Sequence, residues 1–303
     1  MIGSYFVYLK HIVNEIDQDR KAADVLVERT GMSRLMVKKI RLHGQLLVNG
    51  QPHRMIDPVH SGDVMEINLA NREGPVHLRR HPDIPVLFQD EWLIVVSKPA
   101  DLVIHPTYLH HQGSLTDRLS DQPLHPVLRL DRDTTGAVLI ALNGHAHHVL
   151  SSHPMKKEYL GLIHGRMRQT HGLIQAPLGR VDNSLILRQF REDGAMAMTM
   201  WQEVRWFPAA SVSLVRFRLL SGRTHQIRVH CQTVGHPLLG DGLYGLAETD
   251  RATVWDHKIG RQALHAARLG FEHPLTHQWI ERTAPLPDDM RLLLRQLSQK
   301  NTD

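Results

Sequence analysis

A charged loop that runs directly into an apolar stretch constrains this sequence more than any other segment. Residues 126–142 read PVLRLDRDTTGAVLIAL, which places Asp131 on a short loop immediately before a run typical of a buried strand. A carboxylate there either braces the loop through local hydrogen bonds or serves as a nucleophile presented from the edge of a rigid sheet. Bracing is the commoner role for an isolated loop aspartate, so the choice between the two depends on the rest of the chain.

The composition is that of a globular protein with a modest excess of positive charge. The chain has 303 residues, of which 42% are hydrophobic, and this is enough for a well-buried domain and a smaller companion. No apolar run is as long as a membrane span, and the N-terminus lacks a signal pattern. The single cysteine, Cys231, excludes an intrachain disulfide. We therefore expect a cytoplasmic protein that does not associate with a membrane. The net charge of +5 is compatible with a polyanionic partner.

Residues 1–72 predict a small unit made of two helices followed by hairpins. An apolar helical pattern occupies residues 20–29, and Ser33 is a suitable N-cap for a second helix that Gly44 closes. The Asn-Gly pair at 49–50 is typical of a tight hairpin. The second helix carries four basic residues, namely Arg34, Lys38, Lys39 and Arg41. These residues form either a solvated helix face or a surface that binds phosphate.

The rest of the chain predicts a larger domain dominated by strands. Residues 73–84 are rich in Pro, Arg and His and predict a linker that can also contact phosphate. Within residues 85–303, segment 85–97 predicts a hairpin and segment 211–219 alternates with period two. Because these strands do not alternate regularly with helices, we predict an α+β domain with a mixed, largely antiparallel central sheet.

Three segments beyond the Asp131 loop form an informative series. Residues 156–165 alternate as a strand, residues 221–232 (SGRTHQIRVHCQ) run from a glycine turn into a helical pattern, and residues 234–245 form a Gly-rich loop. Arg-Leu-Asp, Lys-x-Tyr and Gly-Arg-Thr-His-Gln-Ile-Arg motifs occur in this order. The series resembles the RluA family of RNA pseudouridine synthases, and the resemblance covers roughly a whole catalytic domain.

The resemblance implies roles for particular residues. Asp131 matches the catalytic aspartate of the family, and Arg228 matches the arginine that pairs with it. Tyr159 matches the tyrosine that stacks on the target base and is the candidate for removing the proton from C5. Arg129 matches the arginine that helps to hold the flipped-out nucleotide. Further residues expected to shape the pocket or to contact RNA are Arg223, His225 and Gln226. Without the family context, a tyrosine on a strand is more often a core aromatic residue, and Arg228 is compatible with an ordinary structural ion pair.

The resemblance also implies the fold, the reaction and the partner. It implies the pseudouridine synthase fold, with an alpha-L RNA-binding domain in residues 1–72. The reaction breaks the N1–C1′ bond of a uridine and rejoins the base through C5, so no cofactor or metal is required. Asp131 either adds to C1′ or removes a ribose proton through a glycal. RNA is the expected partner, with large-subunit ribosomal RNA favoured over transfer RNA and no obligate protein partner. Two positions depart from the family pattern: Leu128 replaces a usual His, and Ala100 a frequent Gly.

Three rival interpretations remain. Asp131, Asp133 and Thr135 fit the Asp-x-Asp-x-Thr signature of magnesium-dependent haloacid-dehalogenase-type phosphatases, although the preceding residues include Pro, His and Arg where that motif needs an apolar strand. The close histidines at 145, 147 and 148 suggest a metal, but on a helix the i and i+2 positions point apart. A non-catalytic RNA-binding assembly factor would be favoured only if the catalytic residues were missing.

Overall fold

The computed structural model describes residues 6–69, 76–106, 112–246 and 254–300. The N-terminal elements are β1 (Phe6–Ile12), β2 (Arg20–Lys21), α1 (Ala22–Thr30), α2 (Arg34–His43), β3 (Gly44–Val48), β4 (Gln51–His53), β5 (Pro58–Val59) and β6 (Val64–Leu69). The elements that follow are β7 (Val86–Gln89), β8 (Leu93–Lys98), α3 (Leu115–Leu119), β9 (His125–Pro126), β10 (Thr135–Ala141), α4 (Gly144–Ser152), β11 (Lys156–His164), β12 (His171–Arg180), β13 (Arg188–Phe190), β14 (Ala195–Phe207), β15 (Val212–Leu219), α5 (Gln226–Thr233), α6 (Val254–Ile259), β16 (Leu264–Glu272), β17 (Trp279–Thr283) and α7 (Asp288–Lys300).

The N-terminal elements form a unit with its own core. Four strands pair in the order β1-β6-β3-β4, and α1 and α2 contribute buried apolar side chains to the same cluster. Ser33 caps α2 by accepting a hydrogen bond from the amide of Met36 at 3.1 Å. Asn49 and Gly50 have φ angles of 52° and 77°, which is the conformation of a tight hairpin turn. The helix pair and the hairpin therefore lie where the sequence predicts them.

One large sheet forms the framework of the second unit. Its eleven strands follow the order β13-β12-β14-β15-β11-β16-β10-β8-β7, with β17 paired to β16 and β9 paired to β10. Every described pairing in it is antiparallel except that of β10 with β16, which is parallel. This confirms the predicted α+β architecture with a mixed, largely antiparallel sheet.

The parallel pairing brings distant segments together at the centre of the sheet. In register, Gly136 of β10 lies opposite Ala266 of β16, and Ala266 lies opposite Tyr159 of β11. The loop that carries Asp131 precedes β10, and only β16 separates β10 from β11, the strand that carries Tyr159. Close approach requires glycine at position 136, because a Cβ there would lie 2.2 Å from the carbonyl oxygen of Ala266.

Helices cover both faces of this sheet. Helix α5 packs on one face, where Ile227 and Cys231 join a buried cluster with residues of β11, β14 and β15. Helices α6 and α7 cover a second cluster that contains Leu162 and Leu214. Burial raises the pKa of the Cys231 thiol, which supports its role in packing. No helix in the described part of the chain is long and apolar enough to cross a membrane.

The segment before β7 packs on the large sheet. Val76 and Leu78 contact the cluster that contains Ile84 and Ile94, and Ile84 is only 2% exposed. The side chain of Arg79 contacts the carboxylate of Asp121 at 2.9 Å. The described part of the segment predicted as a linker, residues 76–84, is therefore anchored to the strand-rich unit, because its apolar residues pack against the core of that unit.

Candidate active site

A buried lysine binds the backbone of the loop that carries Asp131. Lys98 ends β8, and its ammonium donates hydrogen bonds to the carbonyl oxygens of Arg132 at 2.7 Å, Pro99 at 2.8 Å and Leu102 at 2.9 Å. Lys98 is 1% exposed, and burial lowers its pKa to about 7. Three donor hydrogens thus meet three acceptors, which ties the charged loop to the end of the hairpin.

Arg228 joins Asp131 to a second aspartate. It lies on α5 and is 5% exposed. One terminal nitrogen donates to Oδ2 of Asp131 at 3.0 Å, while Nε and the other terminal nitrogen donate to the two oxygens of Asp241, each at 2.7 Å. Burial alone would lower the pKa of Arg228, but the hydrogen bonds and charge of Asp241, with Asp131 adding to them, raise it above the ordinary value. The guanidinium is therefore a permanent cation beside Asp131.

Tyr159 is a buried residue of β11. It is 9% exposed and packs in the cluster that contains Trp201, Phe217 and Ile227. Burial, and next the negative charge of Asp131, raise the pKa of the phenol above its usual value. The shift favours the protonated hydroxyl over the phenolate.

The start of α5 is held by a glutamine. Gln226 is 2% exposed, and its amide nitrogen donates to the carbonyl of Met198 at 3.0 Å and to the hydroxyl of Thr199 at 2.9 Å. Its amide oxygen accepts from the hydroxyl of Ser221 at 3.0 Å and from the amide of Arg223 at 2.9 Å. Of the two roles expected for Gln226, these contacts fit that of shaping the pocket, because both ends of its amide are bonded to other groups of the protein.

Other predicted residues lie at the surface around this cluster. Arg129 and Arg223 are exposed, the former on the loop of Asp131 and the latter on the turn before α5. His225 is half-buried, with a left-handed φ of 56°, and its Nε2 lies 3.7 Å from Oδ1 of Asp131. The structure thus brings Asp131, Arg228 and His225 into one cluster, with the two arginines at its rim.

The predicted basic face on α2 is partly described. Arg34, Lys38 and Arg41 are exposed, and their spacing places them on one side of the helix. Ile40 points the other way and is 1% exposed in the core of the N-terminal unit. The side chain of Lys39 lies outside the described residues.

Sequence reasoning does not single out Lys98, Asp241 or Tyr244. Asp241 is fully buried, and besides Arg228 it binds the amides of Leu243 and Tyr244, each at 3.0 Å. The only signals were a lysine at the end of an apolar run and an Asp and a Tyr in a Gly-rich loop. Neither pattern reveals which charge lies opposite.

The geometry gives little support to the rival interpretations. The haloacid-dehalogenase interpretation predicts a doubly wound parallel sheet, whereas this sheet is largely antiparallel. Among the described residues, no three His, Cys, Asp or Glu side chains are grouped to hold a metal ion. His145, one of the three clustered histidines, is 2% exposed, and burial lowers its pKa to about 4.

A loop aspartate paired with a buried arginine, together with a buried tyrosine on the same mixed sheet, is the arrangement that the sequence resemblance implies for an enzyme that modifies nucleosides within RNA. The family model described as RNA pseudouridylate synthase matches residues 92–233, which include Asp131, Tyr159 and Arg228. The uncharacterized RNA pseudouridine synthase YjbO of Bacillus subtilis is 34% identical over 281 residues, covering 88% of this chain and 95% of that protein. The chain therefore belongs to the family of RNA pseudouridine synthases, which are isomerases.

Two further comparisons agree with this assignment. Ribosomal large subunit pseudouridine synthase D of Zymomonas mobilis is 32% identical, over 93% of this chain and 94% of that protein. The solved structure of human RNA Pseudouridylate Synthase Domain Containing 4 has a TM-score of 0.57 at 23% identity, covering 71% of this chain and 93% of the human one. The human structure supports the pseudouridine synthase fold.

Proposed function

We propose that this pseudouridine synthase modifies uridines of large-subunit ribosomal RNA, with Asp131 as the carboxylate that acts at the ribose. The observation that carries the assignment of Asp131 is its 3.0 Å contact with Arg228, a buried cation that two hydrogen bonds to Asp241 hold in place. Relatives named for the large ribosomal subunit, at 32% and 36% identity, support the choice of RNA.

Arg228 orients Asp131 for the chemistry. Its guanidinium donates to Oδ2 of Asp131 at 3.0 Å, and two hydrogen bonds to Asp241, each 2.7 Å long, keep the guanidinium in place. Arg228 binds only Oδ2 of Asp131, so Oδ1 is the oxygen directed to substrate.

Two routes satisfy the electron balance. In one, Oδ1 of Asp131 forms a bond to C1′ as the N1–C1′ bond breaks and its electron pair leaves with uracil; the bond from Oδ1 to C1′ breaks again when C5 attacks C1′. In the other, Asp131 removes the C2′ proton as the N1–C1′ bond breaks, a glycal forms, and the proton returns to C2′ when C5 bonds to C1′. In both, C1′–C5 bond formation is followed by loss of the proton from C5. Because the raised pKa favours the protonated phenol of Tyr159, we propose that Tyr159 packs against the base and that a water relays this proton.

The N-terminal unit supports binding of structured RNA. Arg34, Lys38 and Arg41 present three cations on one side of α2, and Arg129 and Arg223 add two beside the cluster. We propose that residues 1–72 bind RNA phosphates at a distance from the target uridine. Extrusion of that uridine from a stem costs on the order of a few kcal/mol, which such contacts offset.

Tritium release from RNA transcribed with 5-tritiated uridine tests this function. The wild-type protein is compared with Asp131→Asn and with Asp133→Asn, a matched change two residues away on the same loop, all in the presence of EDTA. We expect release with the wild type and Asp133→Asn and none with Asp131→Asn, whose affinity for RNA is retained. Release that survives in Asp131→Asn would exclude the proposed role.

The choice of RNA is tested in the same assay. Large-subunit ribosomal RNA and a pool of transfer RNAs are offered in parallel at equal uridine concentration. Release from the ribosomal RNA alone supports the proposal, whereas release from transfer RNA alone replaces it with the runner-up substrate.

A further inference from the structure

The hydroxyl of Tyr244 lies between a backbone donor and a histidine ring. The amide of Arg188, at the start of β13, is 2.8 Å from the Tyr244 oxygen, and Nδ1 of His225 is 2.7 Å from the same oxygen. A backbone N–H can only donate, so the tyrosine oxygen accepts from Arg188, and its own hydrogen can be donated to Nδ1 of His225. In that arrangement Nδ1 carries no proton, and the hydrogen of a neutral His225 lies on Nε2.

That hydrogen faces the proposed catalytic carboxylate. Nε2 of His225 lies 3.7 Å from Oδ1 of Asp131, whereas Oδ2 is bound by Arg228 at 3.0 Å. The separation exceeds an ordinary hydrogen bond by less than about 1 Å, a distance that tightens when substrate closes a site. Tyr244 is 3% exposed and is held by its amide on Asp241, so its hydroxyl has a defined position.

We propose that Tyr244 is a positioning residue that holds His225 in the Nε2–H tautomer, so that His225 directs Oδ1 of Asp131 while Arg228 holds Oδ2. The inference rests on the proposed role of Asp131. The two donors fix the plane of the carboxylate, and the oxygen that must reach the ribose then keeps one orientation. An imidazolium would instead pair with Asp131 as a second full charge and lower its reactivity.

The pH dependence follows from the groups around His225. The charged and titratable groups that face it are Asp131, Asp241, Arg228, Arg188 and Tyr244. Burial lowers the pKa of His225, Asp131 opposes this, and Arg228 and Arg188 add to it. Removal of the Tyr244 hydroxyl leaves Nδ1 open to a proton, so the pKa rises and the imidazolium forms at a higher pH.

Three variants test the proposal through kcat measured between about pH 5.5 and 8.5, the range in which histidine titrates. We expect Tyr244→Phe to move the acid limb of the profile to higher pH, with a wild-type-like rate at the alkaline end. His225→Leu should lower kcat on the order of tenfold with little change in KM, because it removes the donor to a charged group. His225→Gln places an N–H near the same position and should recover most of that decrease.

His273 offers a matched control. Its Nδ1 accepts from the amides of Leu275 and Thr276, at 3.2 and 3.1 Å, so its hydrogen also lies on Nε2 and meets the carboxylate of Asp90 at 2.8 Å. His273→Gln therefore removes a histidine of the same tautomer that faces the same kind of acceptor, but at a place other than Asp131. We expect kcat and its pH profile to be unchanged. A wild-type profile in both Tyr244→Phe and His225→Leu would overturn the proposal.

A second measurement does not depend on activity. Long-range ¹H–¹⁵N spectra distinguish the two neutral tautomers and the imidazolium, and the signal of His225 is assigned by its disappearance in His225→Gln. We expect the Nε2–H tautomer in the wild type at about pH 7.5 and a change of pattern in Tyr244→Phe. A hydrogen on Nδ1 in the wild type would overturn the inference even if RNA is modified. Absence of tritium release by the wild type would instead count against the proposed function alone.

Discussion

Arg228 and Asp241 form a closed, two-bonded ion pair inside the protein. Both hydrogen bonds are 2.7 Å long, and the Asp241 side chain is fully buried while that of Arg228 is 5% exposed. The pair leaves one nitrogen of Arg228 for Asp131. A residue in the Gly-rich loop thus sets the direction of the cation that the proposed catalytic aspartate requires.

Asp241→Asn should lower both stability and turnover. The change keeps the shape of the side chain but leaves the guanidinium of Arg228 without its buried counter-charge. The loss lowers the free energy of unfolding by about 3–5 kcal/mol. We expect a lower melting temperature and a fall in kcat of roughly tenfold or more, with KM less affected. Asp17→Asn is the control, since Asp17 is likewise fully buried and bonded twice to Arg29, at 2.8 and 3.0 Å. It should lower stability without lowering kcat; an equal fall in kcat would refute the positioning role of Asp241.

Gly136→Ala should destabilise the junction of β10 and β16. Gly136 has a φ of 114°, and a Cβ at this position would overlap the backbone of Ala266. We expect a decrease of about 2–5 kcal/mol in the free energy of unfolding, measured by denaturant titration. Gly144→Ala at the start of α4 meets nothing within 4 Å and should be neutral or slightly stabilising. Equal stability of the two variants would contradict the packing argument.

Stability should fall in mild acid through His265. This residue is 1% exposed, and burial lowers its pKa from 6.5 to about 4. Between these two values the unfolded chain binds the proton and the folded protein does not, so unfolding becomes more favourable as the pH falls from 6.5 toward 4. The decrease in unfolding free energy approaches about 3 kcal/mol at the acid end of this window.

Urea titrations across that pH range, with and without His265→Gln, measure this contribution. The variant should have a shallower dependence of unfolding free energy on pH. His257→Gln, at an exposed histidine of α6, should keep the wild-type slope. If all three proteins share one slope, His265 does not control acid sensitivity.

The basic face of α2 should govern the salt dependence of RNA binding. Changing Arg34, Lys38 and Arg41 together to Gln removes three cations from one side of the helix. We expect weaker binding and a reduced slope of log affinity against log salt, by roughly 0.7–0.9 for each phosphate that the protein no longer neutralises. The matched control changes Arg291 and Arg295, two exposed arginines of α7, to Gln. The assignment is withdrawn if both variants change the slope equally.

Local features of this protein could be predicted from the sequence because they depend on neighbouring residues. Ser33 caps α2, the Asn49-Gly50 pair turns the hairpin, and alternation places Tyr159 on the buried face of β11. The motif order likewise pointed to Asp131 and Arg228, which the structure places in contact at 3.0 Å. Capping, turn geometry and side-chain period all act within a few residues, so the sequence carries them directly.

Only the tertiary structure decided which residues become partners when they lie far apart in the sequence. Glutamine is a residue type that is usually exposed, yet Gln226 is buried. Its amide bonds to four polar groups, two of them on β14 and two in the turn before α5. The parallel pairing of β10 with β16 sets Thr135 opposite His265, which is 130 residues later in the sequence. Periodicity specifies which face of the sheet a side chain takes but not which strand lies beside it. The charge opposite Arg228 and the proton position on His225 depend on the same assembly, because a hydrogen bond exists only once folding has placed its donor and acceptor within reach.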